Sequence, residues 1–142
     1  MAAILFVDDD PQLCAIMADV LRSAGHAVNT ACDGRTALVT FGIELHDLVI
    51  TDITMPGMDG LELIDALQQV ECRPRIIAVS GDCQFVDPLY LPMTIRLDAQ
   101  RMLTKPVSRA VLLDAVSEVL AEPAPATITQ TQPCESQTRN FV

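Results

Sequence analysis

The amino-acid sequence predicts a doubly wound α/β fold on a five-stranded parallel sheet, in the order 2-1-3-4-5. Three observations carry that expectation. Apolar runs of strand length recur at 4–7 ("ILFV"), 27–31 ("AVNTA"), 48–51 ("LVIT"), 76–80 ("IIAVS") and 101–104 ("RMLT"). Stretches with helical period separate them, and strand alternating with helix implies right-handed crossovers between parallel neighbours. The runs at 4–7, 48–51 and 76–79 are continuously apolar, as strands covered on both faces require.

Each element has its own justification. Residues 4–7 form a central strand. Asp10-Pro11 then starts a helix, because the carboxylate can cap free N–H groups and proline suits the first helical position. Leu13, Ile16, Met17, Val20 and Leu21 fall on one face of that helix, and Gly25 is its stop. Residues 27–31 alternate more than the other runs, which suits an edge strand. Ala37, Leu38 and Phe41 mark a second helix, and 48–51 returns to a central strand. Leu63, Ile64, Leu67 and Val70 mark a third helix, followed by the strand at 76–80. Pro88 and Pro92 interrupt the next helical stretch, so that helix is expected to start late, near one of them. The strand at 101–104 precedes a last helix carrying Leu112, Ala115, Val116, Val119 and Leu120.

Polar chemistry sits at the strand ends. Asp8-Asp9 follows the first strand, Asp52 the third, Ser80 the fourth and Lys105 the fifth. In an open parallel sheet the carboxyl ends line one edge, and ligands bind where the strand order reverses. In the order 2-1-3-4-5 that point lies between the first and third strands, so Asp8, Asp9 and Asp52 crowd together. Two such carboxylates 4 Å apart repel by about 4 kcal/mol at an effective dielectric near 20. A hard divalent cation such as Mg²⁺ relieves that repulsion with carboxylate, other oxygen and water ligands. Lys105 adds a second positive charge and Ser80 a hydroxyl donor, which together suit phosphoryl oxygens. Asp52 is the central carboxylate and the candidate nucleophile, since an aspartate can carry a phosphoryl group as a mixed anhydride. In the following "MPGMDG", Pro56, Gly57 and Gly60 are expected to build a tight loop whose backbone can approach a ligand.

Composition narrows the partners. The chain of 142 residues has a net charge of −10, with Lys105 as its single lysine. That balance argues against a nucleic-acid surface, which needs a basic patch. No apolar run reaches the length of a membrane span. The start, "MAAILFVDDD", meets acidic residues at once and does not read as a signal peptide, which suggests the cytoplasm. The five cysteines, Cys14, Cys32, Cys72, Cys83 and Cys134, lack zinc-ligand spacing or a neighbouring base and read as reduced thiols without a catalytic role. His26 and His46 read as surface or packing residues. The segment 122–142 turns to Pro, Thr and Gln and reads as a disordered tail after one domain at 1–121.

"ILFVDDDPQL", "DLVITDITMPGMDGLEL", "IIAVSG" and "MLTKPV" resemble the receiver domain of two-component response regulators, in register over residues 1 to about 121. The resemblance implies a flavodoxin-like fold and a phosphoacceptor role for Asp52. It implies Mg²⁺ ligated by Asp9, Asp52 and the Thr54 carbonyl, with Asp8 acting through water. Ser80 is similar to the switch hydroxyl that follows the phosphoryl group. Lys105 resembles the lysine that pairs with it, before a Lys105–Pro106 bond that is usually cis. The implied partners are a histidine kinase or histidine phosphotransfer protein and a downstream protein target. Such a chain catalyses only its own phosphorylation and dephosphorylation, and signals by protein contact or onward phosphotransfer. One departure is Met102, three residues before Lys105, where the family usually has an aromatic switch residue. Two other readings stay open: a haloacid-dehalogenase-type phosphohydrolase, for which Asp8 and Asp10 offer the spacing, and a pseudoreceiver that binds partners without phosphate.

Overall fold

A computed structural model describes residues 1–81 and 99–123. The helix expected near Pro88 or Pro92 and the tail from residue 124 lie outside the described residues. The described elements are β1 (Ala3–Val7), α1 (Pro11–Ser23), β2 (Ala27–Ala31), α2 (Gly34–Ile43), β3 (Leu48–Asp52), α3 (Gly60–Gln68), β4 (Arg75–Ser80), β5 (Arg101–Thr104) and α4 (Arg109–Ala121). All strands pair in parallel in the order β2-β1-β3-β4-β5. This is the expected doubly wound sheet, with the exposed alternating strand β2 at one edge.

Strand alternation sorts the core into two layers. Ile4, Phe6, Leu48, Ile50, Ile77 and Val79 face α1 and α4, meeting Met17, Leu21, Leu112 and Val116. Leu5, Val7, Val49, Ile76 and Ala78 face the opposite way, onto Phe41, Leu63, Ile64 and Leu67 of α2 and α3. Burial on both faces is why β1, β3 and β4 read as unbroken apolar runs.

Asp10 caps α1 as expected: its Oδ1 accepts from the Gln12 and Leu13 N–H groups at 3.0 and 3.3 Å. Gly25, at φ +97°, lies just past the end of that helix, in the left-handed region that favours glycine. Two details differ from the sequence reading. Ile16 is 58 % exposed; Met17, Val20 and Leu21 are buried as expected, and the small Cys14 and Ala18 complete the buried face of α1 in its place. Val70 lies beyond α3, which ends at Gln68, and is only partly buried.

Glu122, where the sequence places the start of the tail, is tied to the fold. Its carbonyl accepts from Arg75 Nη2 at 2.8 Å and its Oε1 pairs with Arg101 Nη1 at 3.0 Å.

Candidate functional site

Register brings the acidic residues together. Val7 of β1 stands opposite Thr51 of β3, so the next residues, Asp8 and Asp52, leave the sheet side by side. The ladder runs past both ends: the Asp8 N–H donates to the Ala31 carbonyl at 3.1 Å, and the Ile53 N–H to the Val79 carbonyl at 2.9 Å. Asp8 and Asp52 are buried, while Asp9 is exposed. One carboxylate oxygen of each of Asp8, Asp9 and Asp52 lies within 4.8 Å of the other two.

Lys105 arrives from the far side of the sheet. Its N–H donates to the Ser80 carbonyl at 2.8 Å, which fixes where its side chain leaves the backbone. Nζ then donates to Asp8 Oδ2 at 2.7 Å and to Asp52 Oδ2 at 3.1 Å. The other oxygens are held locally, Asp8 Oδ1 by the Asp10 N–H at 2.9 Å and Asp52 Oδ1 by the Thr54 N–H at 3.1 Å. The Lys105–Pro106 peptide bond is cis, as the resemblance implies. Ser80 ends β4, one residue past Val79, which is the register partner of Asp52.

The electrostatics show a shortage of positive charge. Burial pushes the Asp52 carboxyl above the usual carboxylate range, and the charge of Asp8 adds to that rise; the Lys105 ammonium and the Thr54 N–H pull against it without cancelling it. For Lys105 itself, burial would lower the pKa, but the hydrogen bonds and charges of Asp8 and Asp52 outweigh it and the net shift is upward. The ammonium is therefore firmly charged, yet among the described residues it is the one cation for two buried carboxylates. The donor set is all hard oxygen, which fits Mg²⁺ and not a thiolate- or imidazole-seeking metal.

The loop after Asp52 does something the sequence reading did not foresee. Gly57 has φ +73°, as a tight turn requires. The close approach at Gly60, however, is made by the protein's own backbone. A Cβ there would strike the Asp52 carbonyl oxygen and come within 2.7 Å of Ile53 Cα, and the Gly60 N–H donates to the Ile53 carbonyl at 2.9 Å. Gly60 thus locks the start of α3 onto the end of β3 and holds Asp52 in place. A turn glycine and a close-packing glycine look alike in sequence.

Cys14 is a second residue whose position was not legible. Its Sγ lies 3.3 Å from the Asp8 carbonyl and 3.8 Å from that of Ala31. Burial, with help from the charge of Asp8, pushes the thiol up to about 11, so it is protonated and acts as a donor. His26 and His46 lie away from the site, as expected. His26 Nδ1 accepts from the Ala2 N–H, and His46 is buried against Phe41 with ring centroids 5.9 Å apart.

These features belong to a phosphoryl-receiving signalling module, and comparison with known proteins makes the assignment. The profile of the response regulator receiver domain matches residues 4–117, and the chain belongs to that family. The transcriptional regulatory protein GlrR of Escherichia coli K12 is 34 % identical over 126 residues, covering 89 % of this chain and 28 % of GlrR. The transcriptional activator protein PfeR of Pseudomonas aeruginosa is 29 % identical, covering 91 % of this chain and 50 % of PfeR. The chain therefore spans at most half of either regulator. Among solved structures, the chemotaxis protein CheY4 of Vibrio cholerae superposes with a TM-score of 0.77 at 29 % identity, covering 84 % of this chain and 98 % of CheY4. A CheY-like receiver domain protein from Methanospirillum hungatei gives 0.76 at 26 % identity, covering 84 % and 94 %. Receiver domains are signalling modules rather than metabolic enzymes, and they bind Mg²⁺ at an acidic pocket. Among the described residues no helix is long and apolar enough to cross a membrane.

Proposed function

We propose that Asp52 accepts a phosphoryl group from the phosphohistidine of a histidine kinase or histidine phosphotransfer protein. One observation carries this reading above the others: a buried aspartate at the strand-order reversal shares a single lysine with Asp8 and lies in oxygen-ligand range of Asp8 and Asp9. In the transfer an Asp52 carboxylate oxygen forms the new bond to phosphorus. The phosphorus–nitrogen bond to the donor imidazole breaks, and the imidazole leaves with the bonding electrons. Asp8, Asp9, Asp52 and the Thr54 carbonyl would hold Mg²⁺, which when bound supplies positive charge to the phosphoryl oxygens. Lys105 turns from the carboxylates to a phosphoryl oxygen, and the Ser80 hydroxyl donates to another.

The output we infer is a protein contact or onward phosphotransfer to another histidine. The name transcriptional regulator describes the longer relatives, and no DNA-binding role is carried over to this chain. Met102 stands opposite Ala78 and packs, partly buried, on the core layer under α2 and α3. A flexible thioether there ties the fifth strand to Ser80 less tightly than a ring would.

The phosphohydrolase alternative is disfavoured by Asp10. That reading needs Asp10 as a free acid or base, but its Oδ1 already accepts from two helix N–H groups as the cap of α1. Incubation with a phosphodonor tests the proposal: the native chain should gain one acid-stable, base-labile phosphoryl group, and Asp52→Asn should gain none. Undiminished labelling of Asp52→Asn at another residue would overturn the assignment.

A further inference from the structure

Two thiols lie beside the acidic site, on the two segments that frame it. Cys14 belongs to the first turn of α1 and is 3 % exposed, its sulfur bridging the carbonyls of Asp8 and Ala31. Cys32 directly follows Ala31, is exposed, and lines an open groove with Asp9, Thr36 and Pro56. The Ala31 carbonyl and the Cys32 Cα share one peptide plane, so contact with that carbonyl puts Cys14 within a side chain's reach of residue 32.

We propose that Cys14 and Cys32 form a reversible disulfide in response to peroxide oxidants, and that this bond weakens cation binding at the adjacent carboxylates. The exposed Cys32 thiolate attacks a peroxide oxygen. A sulfur–oxygen bond forms, the oxygen–oxygen bond breaks, and hydroxide leaves as water after taking a proton. The Cys14 sulfur then attacks the Cys32 sulfenic acid: the sulfur–sulfur bond forms, the sulfur–oxygen bond breaks, and the thiol proton leaves with the hydroxyl as water. Each sulfur gives up one electron, and the peroxide is reduced by two. The new bond removes the Cys14 S–H donor from the Asp8 carbonyl and ties the end of β2 to α1, moving the peptide that carries Asp8 and Asp9. A direct supporting contact to a metal ligand is worth roughly tenfold or more, and this one, made to the backbone of Asp8, is worth up to about that.

The cross-link itself stands on the thiols alone; its effect rests on the proposed Mg²⁺ site. The test uses the full chain, reduced or treated with hydrogen peroxide, followed by non-reducing peptide mapping and calorimetric Mg²⁺ titration. The expected result is a peptide pair joining Cys14 to Cys32, reversed by dithiothreitol and absent in Cys32→Ser. Mg²⁺ affinity should fall, by up to about tenfold, on oxidation of the native chain and stay unchanged in oxidised Cys32→Ser. Oxidation of Cys32 without a Cys14–Cys32 peptide would overturn the proposal. A cross-link that leaves Mg²⁺ affinity intact would overturn its regulatory half. Failure of the reduced chain to bind Mg²⁺ would overturn the cation site and that half with it, leaving the cross-link to be decided by the peptide map.

Discussion

The two ends of the sheet use the same residue type for opposite purposes. At the amino end, Asp47 Oδ2 accepts from the Ala3 N–H at 2.8 Å, and its own backbone bonds to Ala3 and Arg75, stitching β1, β3 and β4 together. At the carboxyl end, Asp8 and Asp52 point at each other and divide one ammonium between them. An exposed carboxylate answered by backbone donors completes the fold. Asp8 and Asp52 each hold one backbone N–H and share one ammonium, so their negative charges stay crowded in a buried place, and that excess is what a cation can answer. The contrast separates structural from functional acids where residue identity cannot.

The contrast makes predictions that break it if wrong. Lys105→Met should have the largest effect, since it leaves two buried carboxylates without their cation; the loss in metal-free stability should be about 1–3 kcal/mol, discounted for the partial exposure of the lysine. Asp52→Asn should act with the opposite sign, raising metal-free stability on the order of 1 kcal/mol by relieving repulsion from Asp8. Asp47→Ala should cost about 1 kcal/mol through the lost bond to Ala3. Urea denaturation of the three variants without divalent ions checks all three signs.

A smaller effect sharpens the amino end. Burial lowers the His46 pKa below its ordinary value of 6.5, against the opposing pull of Glu44 and Asp47. Within the window between the two values the unfolded chain holds a proton that the folded chain does not. His46 therefore contributes stability that is complete above the ordinary value and lost as pH falls through the lowered one. Denaturation curves from about pH 7.5 to pH 5 should show this slope in the native chain and a shallower one in His46→Gln.

The smallest effect concerns Glu122. Ending the chain after Pro123 should leave stability unchanged, whereas ending it after Ala121 should cost up to about 1 kcal/mol, because the partly exposed pair with Arg101 and the bond from Arg75 are then lost. Thermal melts of the two truncations separate these outcomes.

Much of this was legible in the sequence, for physical reasons. Strands buried on both faces must be continuously apolar, so β1, β3 and β4 declare themselves, and strand order then dictates which strand ends meet. Asp8, Asp9, Asp52 and Lys105 follow from that register. The rest depends on close packing, which periodicity does not encode. Ile16 fits the helical apolar pattern, yet the small side chains of Cys14 and Ala18 decide which face of α1 sits down. Gly60 looks in sequence like a turn residue open to a ligand, because nothing in its neighbours announces the Asp52 carbonyl against it. Glu122 sits in tail-like composition, but Arg75 and Arg101, distant in sequence, reach it across the fold.

If Asp8, Asp9 and Asp52 form one cation site at the reversal of strand order, Mg²⁺ binds the folded chain and stabilises it. The most direct measurement is the thermal midpoint with and without millimolar Mg²⁺, for the native chain and for Asp9→Asn, whose exposed side chain can change without disturbing the core. A ligand that binds only the folded state raises the midpoint by mass action, by about 2.7 kcal/mol of stability at one hundred times its dissociation constant. The midpoint of the native chain should rise with Mg²⁺ and that of Asp9→Asn should rise much less. Equal midpoints for the native chain with and without Mg²⁺ would contradict the account.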